Sequence, residues 1–167
     1  TGCAAVITAI GTIIVAVVAL IPTPSPTPYP EPATPNSMTP IGRTTTSESL
    51  FDIVSVSSNR TYFKGELHYG TIVYSDDIYK YNDVPYSLDG KEYIITANED
   101  KFGKDSDFQI ILFADRDVVV YIAHSDRYGQ KPKWLVGFED TGSDLTFDVK
   151  DNDGNKIETV VLSLYKK

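Results

Sequence analysis

Hydrophobic and polar positions divide the chain into three stretches of different character. Residues 4–21 carry no charged side chain and are almost entirely apolar, residues 22–43 are rich in proline, and short β-branched and aromatic runs broken by Gly, Asn and Asp follow. The first pattern predicts a helix, the second an extended linker and the third an antiparallel β domain. We therefore expect an N-terminal apolar α-helix (1–21), a proline-rich stalk (22–43) and an all-β domain (44–167).

The β domain is expected to be an antiparallel β-sandwich of about eight strands, because short alternating runs separated by turn residues are typical of that architecture. The predicted strands cover residues 50–55, 61–67, 70–74, 93–96, 108–113, 118–124, 145–150 and 156–165. In the stalk, eight of the ten prolines fall between Pro22 and Pro40. Such spacing favours polyproline II and a semi-rigid spacer.

The apolar segment is long enough to span, or nearly span, a membrane as a helix. Its 18 residues would extend about 27 Å, close to the thickness of the hydrocarbon core. Small residues recur every four positions along it, which lets helix backbones approach closely. No basic residue precedes Arg43, whereas a membrane anchor usually has Lys or Arg beside it. We predict that copies of this helix pack together through Ala5, Ala9, Gly11, Thr12, Ile13, Ala16, Val17 and Leu20. A single-pass anchor is the alternative.

Residues 4–20, AAVITAIGTIIVAVVAL, resemble the N-terminal helix of archaeal type IV pilin-like and archaellin-like subunits. The resemblance implies that the helix lies in the membrane before assembly and then packs with its copies in the core of an extracellular filament. The β domains would form the outside of that filament.

A second resemblance involves the segments YIITANEDK (93–101), VVYIAHSDR (119–127) and PKWLVGFEDTG (132–142). They are similar to a β-sandwich module of secreted bacterial and archaeal surface proteins and enzymes, which implies a carbohydrate-binding role but no catalytic residues. Trp134 and Phe138, four residues apart, would either close one end of the core or form a platform for sugar rings. The tyrosines between residues 62 and 93 would either line a sugar-binding face or belong to an ordinary half-exposed sheet.

Charge and composition exclude several classes of function. The chain has 15 basic and 23 acidic residues and a net charge of −8, so we expect no binding to nucleic acid. With Cys3 as the only cysteine, and with His68 and His124 far apart in sequence, neither an internal disulfide nor a zinc site is predicted. No local catalytic motif is present, and no pair of carboxylates stands out, so we predict that the protein is not an enzyme.

Two short segments carry further predictions. Residues 151–155, DNDGN, predict a tight hairpin turn, with a weak Ca²⁺ site formed by Asp151, Asp153 and Asn155 as the alternative. Leu162 occupies the position where an EF-hand loop requires glutamate. Asn59, in the sequence Asn-Arg-Thr, is a candidate N-glycosylation site if the protein is exported.

Two hypotheses of function follow from these patterns. The first is an adhesive structural subunit of an extracellular, pilus-like filament on the cell surface, whose partners are copies of itself. The second is a surface protein anchored by a single membrane span, whose β domain binds glycans. No cofactor other than Ca²⁺ is considered.

Overall fold

The computed structural model describes residues 3–8, 14–19, 49–102, 109–129 and 131–167 of the chain. The described residues form the strands β1 (Cys3–Thr8), β2 (Ile14–Ala19), β3 (Asp52–Val56), β4 (Phe63–Glu66), β5 (Tyr81–Asp83), β6 (Glu92–Ile95), β7 (Gln109–Ala114), β8 (Val119–Ser125), β9 (Glu139–Lys150) and β10 (Lys156–Lys166). Short 3₁₀-helices cover Asn98–Phe102, Asp126–Tyr128 and Lys133–Leu135. Within these ranges, no helix has the length and apolar character needed to cross a membrane.

The strands form two antiparallel sheets. The smaller has the order β1-β7-β3, and the larger has the order β4-β6-β2-β8-β10-β9-β5. The longest pairing joins β9 and β10, from Lys150 opposite Lys156 to Glu139 opposite Lys166. The described part of the chain is therefore mostly β with antiparallel sheets, as the sequence predicts.

The larger sheet is covered on both faces. Along β6, Tyr93 and Ile95 pack into one core and Ile94 into the other, because successive side chains of a strand point to opposite faces. The first core joins the larger sheet to the segment 67–91 through Leu67, Val73, Tyr74, Tyr81, Leu88, Phe147 and Leu162. The second core joins it to the smaller sheet through Phe51, Ile94, Ile110, Leu112, Ile122 and Leu135.

Most strand predictions agree with the structure, and the differences have local causes. The predicted strand 70–74 is reduced to two isolated bridges, Ile72 with Lys80 and Tyr74 with Thr96. The segment turns back on itself there, with the Val73 amide bonded to the Tyr79 carbonyl at 2.9 Å. Strand β5 was not predicted because its three residues, Tyr-Asn-Asp, include two turn formers. Strand β9 begins at Glu139, six residues before the predicted start at residue 145. A bulge at residues 141–143 allows the polar residues that precede the predicted start to remain paired with β10.

At the N-terminus, two parts of the predicted helix 1–21 are described, and both are strands, while the helix itself stays a prediction. Cys3–Thr8 pairs with β7, and Ile14–Ala19 lies between β6 and β8 in the larger sheet. A short apolar run that is rich in valine and isoleucine suits a strand with two buried neighbours as well as it suits a buried helix, so periodicity does not separate the two. Residues 9–13 and the predicted stalk lie outside the described residues, and the predicted division into helix, stalk and β domain remains a prediction.

The position of β2 gives a direct test. Val17 is paired with Tyr93 on one side and Tyr121 on the other. A Val17→Pro substitution removes a backbone donor from a central strand, which costs about 1–3 kcal/mol. We expect the melting temperature to fall by about 3–10 °C, measured by circular dichroism, while Ala33→Pro in the proline-rich segment leaves it unchanged. An unchanged melting temperature for Val17→Pro would show that the β domain folds without β2.

Candidate functional site

A bulge in β9 creates the most distinctive surface feature of the described residues. Asp144 pairs with Ser163 and Asp140 with Tyr165, so three residues of β9 lie opposite the single residue Leu164 of β10. Gly142, at the centre of the bulge, has a φ of 68°, a conformation that glycine adopts without strain. Bulges of this kind redirect side chains and are frequent beside functional sites.

The bulge is held in place by its own polar groups. The Gly142 amide donates to an Asp140 carboxylate oxygen at 2.8 Å, and the Ser143 amide donates to the Thr141 hydroxyl oxygen at 3.2 Å. The Thr141 hydroxyl in turn donates to the Leu164 carbonyl at 2.9 Å, which ties the bulge to β10. These contacts fix the backbone of residues 140–143 in one conformation.

A cavity of about 240 Å³ opens beside the bulge, and we call it the bulge groove. Leu88, Tyr121 and Leu164 form its apolar part. Its polar lining consists of Ser87, Glu139, Asp140, Thr141, Ser143 and Lys166. Lys166 Nζ lies 3.5 Å from a carboxylate oxygen of Glu139, so the groove offers a cation, carboxylates and hydroxyls within one small volume.

The turn that closes one side of the bulge groove carries a fully exposed aromatic ring. Tyr86 is 96% exposed and immediately precedes Ser87, which lines the groove. The turn is closed by the Leu88 amide, which donates to the Pro85 carbonyl at 2.9 Å. Leu88 is buried in the first core and anchors the turn, whereas Tyr86 makes no comparable contribution to that core. An exposed aromatic residue that directly precedes a lining residue of a polar cavity is a candidate ligand contact.

A second exposed tyrosine lies on a turn that is bonded to the first. Tyr69 is 76% exposed, and two residues before it Leu67 exchanges backbone hydrogen bonds of 2.8 Å with Lys91 and Gly90. His68 reinforces this junction: its Nδ1 lies 2.8 Å from Asp89 Oδ1 and its Nε2 lies 3.1 Å from Glu66 Oε1. The turns that carry Tyr69 and Tyr86 are thus joined through backbone and side chains.

Trp134 and Phe138, the aromatic pair singled out in the sequence, lie elsewhere. Both rings are half-buried and pack against the second core, beside the fully buried Leu135. Lys167 Nζ lies 5.6 Å from the centroid of the Phe138 ring. These two rings therefore contribute to packing. The accessible aromatic surface is provided by Tyr69 and Tyr86, which belong to the tyrosines between residues 62 and 93 for which a sugar-binding face is one of the two predictions.

The segment 151–155 forms a turn stabilised by Asp151. Its Oδ1 accepts hydrogen bonds from the Asp153 amide at 2.9 Å and the Asn155 amide at 2.8 Å, while Oδ2 accepts from the Asn155 side chain at 3.1 Å. These bonds, led by the one from the Asn155 backbone, hold the pKa of Asp151 below its ordinary value. Both carboxylate oxygens are engaged, and no group of three or more His, Cys, Asp or Glu residues suited to a metal ion occurs among the residues described here.

The remaining predicted residues are distributed as follows. Asn59 is exposed in the bend between β3 and β4, where a glycan would be accessible. At the end of the segment 119–127, which belongs to the second resemblance, Arg127 Nε donates to Glu158 Oε1 at 3.0 Å and Asp126 accepts from the Ser163 hydroxyl at 2.7 Å, so both make structural contacts to β10. Among the predicted assembly residues, Ala5 lies in β1 and Ala16 and Val17 lie in β2. The others lie outside the described residues: Ala9, Gly11, Thr12, Ile13 and Leu20.

Comparison with known proteins adds no assignment: no family model, curated protein or solved structure matches this chain. Both resemblances proposed from the sequence therefore remain predictions.

The junction at His68 has a measurable pH dependence. The hydrogen bond that the His68 ring makes to the Asp89 carboxylate, with a smaller contribution from the bond to Glu66, raises the pKa of His68 above its ordinary value of 6.5. A raised folded-state pKa means that the junction stabilises the fold below pH 6.5 and that this contribution is lost as the pH rises through the folded-state pKa. In an NMR titration we expect Asp89→Asn to lower the pKa of His68 more than Glu66→Gln does. Equal titration curves for wild type and Asp89→Asn would contradict this role.

Proposed function

We propose that this chain is a non-enzymatic protein of the cell exterior whose β domain, a β-sandwich, binds carbohydrate at the bulge groove. The observation that supports this function best is the full exposure of Tyr86, which directly precedes Ser87 in the chain, where Ser87 lines a small cavity that combines hydroxyls, carboxylates and an ammonium group. Of the two functions predicted from the sequence, this geometry favours the surface protein with a glycan-binding domain.

The chemistry of a sugar ring suits this arrangement. A pyranose has an apolar face of C–H groups that stacks on an aromatic ring, and its edge carries hydroxyls that both donate and accept hydrogen bonds. In the proposed complex the apolar face contacts Tyr86, and the hydroxyls meet Glu139, Asp140 and Ser143 in the groove. Tyr69, on the joined turn, extends the aromatic surface toward a neighbouring sugar unit.

The charge of the groove favours neutral glycans over acidic ones. Glu139 and Asp140 line it together with Lys166, whose ammonium group is already paired with Glu139. A glycan carboxylate placed here would face two like charges with a single, partly neutralised cation. Neutral oligosaccharides are therefore the appropriate probes for this site.

The groove's carboxylates serve binding rather than hydrolysis in this proposal. Glu139 is held by Lys166, and Asp140 accepts a hydrogen bond from the bulge backbone. Both are exposed side chains, whose oxygens can accept hydrogen bonds from sugar hydroxyls.

The filament function remains a prediction and is the second candidate. It requires residues 4–21 to form a helix that packs with its copies, as the rows of small residues favour, so that β1 and β2 would leave their sheets. Electron microscopy of material sheared from cells tests it, because uniform fibres that contain this chain would support it. The Val17→Pro variant separates the two cases, since a strand in the sheet and a helix in a filament core predict different effects on the melting of the β domain.

Binding itself is tested with a panel of neutral oligosaccharides and isothermal titration calorimetry. Replacing Tyr86 with alanine removes the stacking surface, and we expect the affinity for a bound oligosaccharide to fall by about tenfold, equivalent to about 1.4 kcal/mol. Tyr69→Ala should weaken binding of longer oligosaccharides more than binding of a single sugar unit. Tyr128→Ala, a matched change at another exposed tyrosine, should have no effect.

Two results would overturn the carbohydrate function. One is a panel in which no neutral oligosaccharide binds the folded wild-type protein. The other is binding that Tyr86→Ala and Tyr128→Ala weaken to the same degree. That result would show that the affinity for the oligosaccharide does not depend on the bulge groove.

A further inference from the structure

Two aliphatic side chains are more exposed to water than any other among the described residues. They are Ile78, which is 88% exposed, and Val136, which is 71% exposed. A single exposed aliphatic side chain is common on protein surfaces and has no meaning by itself. These two differ from that case because each lies among charged groups, and the charges around them have opposite signs.

Val136 lies beside three exposed lysines. Lys131 Nζ donates to the Phe138 carbonyl at 2.7 Å, and Lys167 Nζ lies 5.6 Å from the centroid of the Phe138 ring. The Val136 amide donates to the Lys133 carbonyl at 3.3 Å. Among the residues that the structure describes, none of these lysines forms an ion pair with a carboxylate. We call Val136 and the three lysines the lysine surface.

Ile78 lies beside three carboxylates. Asp76 accepts hydrogen bonds from the Asn98 amide at 2.6 Å and from the Glu99 amide at 3.2 Å, and Asp77 accepts one from the Asn98 side chain at 2.8 Å. These donors are neutral amides, so they hold the carboxylates in place without cancelling their charge. Glu99 contributes a third, exposed carboxylate. We call Ile78 and these three acidic residues the acidic turn.

The acidic turn keeps an excess of negative charge. Lys101 lies on the same 3₁₀-helix as Glu99, and its Nζ donates to the Asn98 side-chain oxygen at 2.9 Å. One ammonium group near three carboxylates leaves the turn negative. Its charge is therefore complementary to that of the lysine surface.

The lysine surface and the acidic turn lie on opposite sides of the larger sheet. Tyr74 and Tyr79, on either side of the acidic turn, pack in the first core, whereas Trp134 and Phe138 pack against the second. The two surfaces therefore cannot meet within one molecule, but they can meet between two copies. A contact between unlike surfaces is heterologous, and it leaves one unused surface on each copy, to which a further copy can bind.

We propose that the lysine surface binds the acidic turn of a second copy of this chain, so that copies associate head to tail. In this contact Ile78 and Val136 are removed from water together, and the ammonium groups meet carboxylates that are already held in position. The acidic turn offers an aliphatic side chain and fixed carboxylates within one small feature, so we favour it over an anionic membrane as the partner.

The net charge of the chain limits the strength of this contact. Each copy carries a net charge of −8, but repulsion between exposed charges is screened beyond about 8 Å at physiological ionic strength, whereas close opposite charges still attract. A contact built on two small surface features belongs to the weak, transient class of interfaces. The proposal requires neither glycan binding nor helix packing by residues 4–21.

Matched serine substitutions test the contact by sedimentation velocity on the full chain. The average mass of the wild-type protein should rise with its concentration, and Val136→Ser and Ile78→Ser should each weaken this association about tenfold. Ile157→Ser, a matched change at another exposed isoleucine, should leave it unchanged. Lys133→Gln should weaken the association and make it less sensitive to added salt. A melting curve of each variant shows that it is folded.

A mixture of the two serine variants gives the sharpest test. Val136→Ser keeps an intact acidic turn and Ile78→Ser keeps an intact lysine surface, so each variant supplies what the other lacks. We expect the mixture to form dimers with the affinity of the wild-type contact and nothing larger, because no intact pair of surfaces remains. Tyr86→Ala should associate as the wild type does, so this proposal and the carbohydrate function can fail independently.

Three outcomes overturn the proposal. The first is a wild-type chain that stays monomeric, or one whose association neither serine variant weakens, as assembly through residues 4–21 alone would give. The second is binding to vesicles of phosphatidylglycerol that Lys133→Gln weakens, in a chain whose copies do not associate. The third is a mixture of the two serine variants that associates no more than each variant does separately.

Discussion

The burial of the larger sheet on both faces is the constraint on which the rest of the structure depends. A sheet whose strands alternate between two cores needs a cover on each side. On one face the smaller sheet supplies it; on the other it is supplied by residues 67–91, through Tyr74, Tyr81 and Leu88. Tyr74 meets Phe147 edge to face, with ring centroids 5.9 Å apart, and the Tyr93 hydroxyl donates to the Ile72 carbonyl at 2.6 Å. This cover holds the turns that carry the exposed tyrosines.

The bulge groove lies at the edge of this buried region. Tyr121 of β8, which lines the groove, is half-buried. The next two residues of the strand, Ile122 and Ala123, are fully buried in opposite cores. The position of the groove therefore follows from the same packing.

The sequence predicts the regular parts of this arrangement better than the sites. Strand β10 and the Asp151 turn follow from alternation and turn chemistry, which are local properties. The bulge could not be predicted, because Thr141, Gly142 and Ser143 resemble an ordinary loop until β10 lies opposite them. The exposure of Tyr86 depends on Leu88 anchoring the turn, a contact between distant segments. The sequence signals for it were an aromatic residue within the turn-forming run 85–90 and the number of tyrosines between residues 62 and 93, one of whose two interpretations was a sugar-binding face.

The bulge also affects the entropy of binding. Residues 140–143 hold one backbone conformation through contacts to Asp140, Thr141 and Leu164, and Gly142 supplies the one left-handed position that this conformation requires. The backbone freedom of this wall was given up when the chain folded. In the proposed complex, a molecule that enters the groove would meet backbone that is already hydrogen-bonded in its own conformation, so less of its interaction energy would be consumed in ordering the protein.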